Sequence, residues 1–245
     1  MARFKDQAIC IRHLEWSETS QLVVLMTEQH GKVRGLAKGS KRTSPSAVQR
    51  YSGGIELLTR GEIVGVLRSS SELATLTEWD LQDDYYHLHT DLAAQQAAGY
   101  AADVVNALMA EQDEHGRTFR ALRTYLEALR DRDATQRQAA LLQFQWELLD
   151  DAGYRPELWR DVHNGAELPV VKTYTFDPHG GGMTQRHGVN DWRVRRQTVE
   201  LLRAVASGEP AAADRDAVER ANRLLCVYLR AILDKELPTM KFVLG

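Results

Sequence analysis

The chain has 245 residues, 43% hydrophobic and 27% charged, close to globular averages, which argues against collagenous, disordered and disulfide-scaffold classes. The formal net charge of −3 hides an asymmetry: residues 1–80 hold 11 basic against 9 acidic side chains, residues 81–152 hold 6 against 13, and residues 153–245 hold 14 against 12. Two cysteines, Cys10 and Cys226, cannot build a disulfide framework, no apolar run approaches the ~20 residues of a spanning helix, and the N-terminus is charged where a signal peptide is apolar, so a cytoplasmic protein is expected.

The first 80 residues read as short strands between turns. Residues 7–13 alternate, and residues 21–27 (QLVVLMT) form a continuous apolar strand candidate. His30-Gly31 reads as a tight turn before residues 32–38 (KVRGLAK), whose alternation sets Val33, Gly35 and Ala37 against Lys32, Arg34, Leu36 and Lys38. Further strands are expected at 55–59, 63–68 and 73–79. Five or six short strands in this length predict a small barrel.

From about Asp83 the hydrophobic period becomes helical. Helices are expected from Leu92 to Leu108, from Arg117 to Arg130 and from Ala134 to Asp151, the last closed by Gly153. Residues 154–190, with three prolines and the triplet Gly180-Gly181-Gly182, read as an irregular hairpin insert with one strand at 170–176. Asp191 reads as the N-cap of a helix closed by Gly208, and a final helix spans about 214–233.

Between Gln29 and Ile55 stand six basic residues, Lys32, Arg34, Lys38, Lys41, Arg42 and Arg50, and no acid. A stripe of this kind serves either as a solvated strand face or as a surface for phosphates, whose neutralisation releases counterions without base-specific geometry. His87 and His89 stand two apart and do not share a helix face. Phosphate-loop, nucleophile-elbow and H-E-x-x-H motifs are missing, and the glycine triplet is not followed closely by a helix, so no enzyme is expected.

The runs Glu18, Thr27-Glu28, His30-Gly31-Lys32, Gly35-Leu36-Ala37-Lys38-Gly39 and Leu73-Ala74-Thr75-Leu76-Thr77-Glu78, with Leu229-Arg230, Leu237 and Lys241-Phe242 near the end, resemble the RecO family of bacterial recombination mediators. The resemblance implies an α+β protein: an N-terminal OB-fold β-barrel over residues 1–80, then an α-helical domain over 81–245 that carries a small zinc-ribbon-like hairpin insert at 154–190. It also implies a function: binding single- and double-stranded DNA, annealing complementary strands, and helping RecA replace single-stranded-DNA-binding protein together with RecR. Arg12, Lys32, Arg34, Lys38, Lys41 and Arg42 are then the expected phosphate ligands, with Tyr51 a candidate stacking residue.

In the insert, many relatives carry paired C-x-x-C motifs, whereas the corresponding positions here are Asp161, Asn164, Thr184 and His187. Tetrahedral zinc prefers thiolate and imidazole ligands, so a metal-free hairpin is expected, with no cofactor. Were zinc present, Asp161, His163, His179 and His187 would be its ligands. Arg193, Arg196 and Arg203 fall on one face of the helix after Asp191, either as a solvated face or as a clamp for the acidic tail of single-stranded-DNA-binding protein. The alternative to a DNA-binding mediator is a protein adaptor whose basic stripe faces an acidic partner. A nucleoid-associated location follows from the first reading.

Overall fold

A computed structural model of the chain describes all residues except 1, 69–70, 132, 187, 189–191, 210–213 and 245, and leaves the side chains of 15, 68, 71 and 72 undescribed. The chain divides into two compact units, residues 1–130 and 131–245. The first unit therefore extends past about Asp83, where the hydrophobic period becomes helical, and takes in three helices beyond that point.

Five strands close the barrel: β1 (Ala2–Glu15), β2 (Gln21–Thr27), β3 (Lys32–Ala37), β4 (Arg60–Arg68) and β5 (Ser71–Asp83), in the order β1-β2-β3-β5-β4. All neighbours are antiparallel except β3 and β5, which run parallel with Arg34 opposite Leu73 and Ala37 opposite Leu76. This is OB-fold topology. Closure depends on β1, whose first half pairs with β4 and whose second half pairs with β2, with a register shift between Cys10 and Arg12. An extra residue at that point bends the strand from one partner to the other.

Alternation fills the interior with Phe4, Ala8, Cys10, Val23, Leu25, Val33, Ile63, Ala74 and Leu76. A barrel of five strands has little room inside. Gly35 and Gly65 supply some of it, since a Cβ at either would lie 2.6 Å from Leu76 Cγ or Phe4 Cε1. Burial pushes the Cys10 thiol up to about 12, so it stays protonated and behaves as a small apolar side chain.

Between β3 and β4 a helix, α1 (Pro45–Tyr51), is started by Pro45 in its first turn. One expectation is corrected here. Residues 55–59 are not a strand. The Gln21 side chain pairs with both backbone groups of Ile55 at 3.0 and 3.1 Å, and Leu58 turns to φ +60°. Leu58 N also donates to Cys10 O at 2.8 Å and Cys10 N to Thr59 O at 3.0 Å, so the segment's backbone groups are paired without a regular ladder.

The first unit continues with α2 (His87–Thr90), α3 (Leu92–Leu108) and α4 (Gly116–Ala128); α3 and α4 pack on β1, and α4 also reaches β2. Asp91 caps α3 by accepting from the Ala94 N–H at 3.1 Å.

The second unit begins with α5 (Ala134–Asp151), capped by Asp133. A three-stranded antiparallel sheet follows, β6 (Thr173–Asp177) flanked by β7 (Gly182–Thr184) and β8 (Trp192–Arg195), and then α6 (Arg196–Ser207), α7 (Arg215–Leu233) and a short final turn, α8 (Lys241–Leu244). The glycine triplet lies in and next to the β6–β7 turn. The expected helix start is corrected here: Asp191 lies outside the described residues, and residues 192–195 pair with β6 before the helix begins at Arg196. Trp-Arg-Val-Arg alternates with period two and buries Val194, which fits a strand better than a first helical turn.

In the core between α5 and α7, buried Gln145 donates to Asn222 Oδ1 at 2.8 Å, and Asn222 donates to the Gln138 carbonyl and side-chain oxygens at 2.9 and 2.8 Å. A satisfied buried amide chain tolerates only one register between two helices.

Candidate nucleic-acid interface

An open groove of about 310 Å³ lies on the barrel where the β1–β2 loop meets the end of β3 and α1. Trp16, Leu36, Lys38, Arg42 and Arg50 line it together with loop serines and threonine, and no carboxylate does so among the described residues. Lys38, Arg42 and Arg50 are exposed. The loop is held in place: Ser17 and Ser20 bond to each other, Ser20 Oγ accepts from Gly39 N at 3.2 Å, and Thr19 O accepts from Lys41 N at 3.1 Å. Trp16 is 60% exposed and shares the groove lining with the cations.

The structure divides the expected phosphate ligands. Lys38 and Arg42 stand in the groove. Lys41 is half-buried in its turn, and Arg12 is exposed on β1, opposite Val24 and outside the groove lining. Lys32 and Arg34 are diverted. Lys32 is only 8% exposed and donates to the Asn106 carbonyl at 2.8 Å, and Arg34 lies 3.7 Å from Glu111. The outer face of β3 at this end is covered by the connection from α3 to α4, with Gln112 N donating to Lys32 O at 3.0 Å. Burial moves the Lys32 ammonium below its ordinary pKa, opposed in part by Glu111.

Close approach at the same place explains Gly31. It adopts φ +63°, and a Cβ there would fall 1.7 Å from the Asp113 carbonyl oxygen.

Tyr51 is not available for stacking. It is 2% exposed, its hydroxyl donates to the Leu76 carbonyl at 2.9 Å, and burial raises its pKa. The residues that sequence reading missed are Trp16, an aromatic stranded in a polar loop, and Arg50, which counts toward the basic segment but is placed in the groove only by α1. Arg50 Nε donates to Ser46 O at 3.2 Å, which leaves its other nitrogens free of that bond.

In the second unit the three arginines do not share a helix face. Arg193 is exposed on β8, and Arg196 opens α6 paired with Glu200 at 2.6 Å. Arg203 is turned inward: Nε and Nη2 both donate to Leu158 O, at 3.0 and 2.5 Å, with the guanidinium 5.6 Å from the Tyr174 ring centroid and 5.9 Å from that of Trp159. That is a structural clamp.

Among its described residues the insert brings together no zinc donor set. The buried Asp161 carboxylate accepts from the N–H groups of Gln185, His163 and Asn164 and from the Thr184 hydroxyl, at 2.5 to 3.2 Å. These bonds hold its pKa below the usual carboxylate range. Asn164 Oδ1 accepts from Ala166 N, His163 faces Asp177 at 3.1 Å, and His179 is exposed. His187 lies outside the described residues. Among the described residues no three His, Cys, Asp or Glu side chains converge.

Residues 1–85 match the family model described as recombination protein O N terminal, and residues 89–241 match recombination protein O C terminal. Proteins named DNA repair protein RecO are similar along much of the chain. The one from Geobacter metallireducens is 28% identical over 99% of this chain and 98% of its own length. The one from Geobacter sulfurreducens is 32% identical over 82% and 80%, and the one from Myxococcus xanthus is 26% identical over 99% and 98%. No helix among the described residues is long and apolar enough to cross a membrane.

Proposed function

The chain belongs to the RecO family of DNA repair proteins, and from that premise we propose that it is a recombination mediator that acts by binding. In this reading it holds single- and double-stranded DNA, anneals complementary strands, and helps load RecA on DNA coated with single-stranded-DNA-binding protein, with RecR as a further partner. It performs no bond-making step of its own. Its work is to bring strands together and to shift competing binding equilibria.

The observation that carries the reading is the groove, in which Lys38, Arg42 and Arg50 face solvent with no carboxylate among the described lining residues. Three cations on one barrel face favour a polyanion. Each phosphate they neutralise on a single strand releases about 0.7 of a counterion, so affinity falls steeply with salt. OB-folds bind oligonucleotides on the face of strands 2 and 3 and at the β1–β2 loop, where this groove lies.

The test is a titration of labelled oligonucleotide at several salt concentrations with the wild type and Lys38→Ala/Arg42→Ala/Arg50→Ala. The expected result is weaker binding to every sequence and a log–log salt slope smaller by about 2. An unchanged slope places the DNA surface elsewhere, and no binding at low salt by the wild type favours the protein-adaptor reading.

A further inference from the structure

We propose that Trp16 is a nucleobase platform: its indole stacks on an unpaired base of a single strand whose flanking phosphates are held by Lys38, Arg42 and Arg50. The proposal rests on the groove being the DNA-binding surface and adds to that reading the residue that separates single strands from duplex.

A tryptophan that is 60% exposed leaves a large apolar face in water, although its chain neighbours in the loop are polar. Aromatic side chains bury 150–250 Å² when covered, so the ligand that covers this one gains substantially. The surrounding charge selects what it is. Among the described residues that line the groove the only charged ones are cations, with Glu18 of the same loop outside the lining; three lining cations repel basic segments and attract a polyanion, and a flat apolar group beside evenly supplied phosphates is what a single strand offers.

The geometry is preorganised. Ser20 Oγ and Thr19 O bind Gly39 N and Lys41 N, which ties the loop that carries Trp16 to the turn that carries Lys38 and Arg42. Little loop entropy is then lost on binding. In a duplex both faces of each base are already stacked, and exposing one costs several kcal/mol. The indole contact is therefore available to single strands and not to duplex, whereas the cations serve both.

The test compares wild type, Trp16→Ala and Trp16→Phe on a thymidine oligonucleotide, an abasic strand of equal length and a duplex. Trp16→Ala is expected to weaken thymidine-strand binding by about 5- to 150-fold, as for other stacked bases, while abasic and duplex binding stay near wild type. Trp16→Phe should recover a large part of the loss. An equal loss on thymidine and abasic strands, or no loss on either, overturns the proposal. If Trp16→Ala binds normally while the Lys38/Arg42/Arg50 variant does not, the phosphate surface stands and the platform falls. If neither variant changes binding, the groove itself is the wrong surface. A Trp16-dependent acidic peptide that displaces the thymidine strand and binds more tightly also overturns it. Because Trp16 is exposed, unchanged thermal melting of Trp16→Ala is expected and checks that the fold is intact.

Discussion

Lys32 Nζ lies 2.8 Å from the carbonyl oxygen of Asn106, so the first residue of β3 caps the last turn of α3. Carbonyls in the last turn of a helix lack intrahelical partners, and the helix dipole places negative charge there, so an ammonium is well suited to the position. A residue that reads as a phosphate ligand is thus a brace between the barrel and the helix that packs on it.

Lys32→Ala is accordingly expected to lower the stability of the first unit by about 1–3 kcal/mol, the range for a lost charge-assisted hydrogen bond. The salt slope of DNA binding should not change. Urea denaturation and the oligonucleotide titration check the two halves. A smaller salt slope with unaltered stability would return Lys32 to the DNA surface.

Asp161 makes a pH prediction. Its folded-state pKa lies below the ordinary 3.8 because four donors favour the carboxylate. A depressed carboxylate contributes stability that is present above the unfolded value and is lost as pH falls through the folded one. The stability difference between wild type and Asp161→Asn should therefore be full at neutral pH and shrink below about pH 4. Denaturation at stepped pH measures it, and a difference that grows on acidification would refute the assignment.

Purified protein is expected to contain less than stoichiometric zinc, and chelator should leave its melting unchanged, because Asp161 is occupied by backbone donors and Asn164 and Thr184 are poor zinc ligands. Elemental analysis decides. One zinc per chain would mean that the donors around Asp161 rearrange.

Arg203 and Arg196 should behave differently although both are helix arginines. Arg203→Lys keeps the charge but loses the forked contact with Leu158 O and the contacts with two rings, for an expected cost of about 1–3 kcal/mol. Arg196→Ala removes only an exposed pair with Glu200 and should cost less than about 1 kcal/mol. Urea midpoints of the two variants test the contrast, and equal costs would remove Arg203 from its structural role.

What the sequence determined by itself is what nearest neighbours and period determine. A continuous apolar run located β2, alternation set Val33 and Ala37 on one face of the next strand, and the 3.6-residue period located α3 and α5, because burial imposes its spacing on the chain wherever it occurs. It also supplied the basic segment and, through its runs of residues, the family. The tertiary structure decided which of those charges face solvent. Lys32, the first residue of β3, and Lys38, the residue after its end, have the same parity, yet one meets Asn106, 74 residues away, and the other opens into the groove. Trp16 and Arg50 are 34 residues apart and become neighbours of one groove only when the barrel closes. Period says which face of an element is polar; what stands opposite that face depends on contacts distant in sequence, and these are settled only when the chain folds.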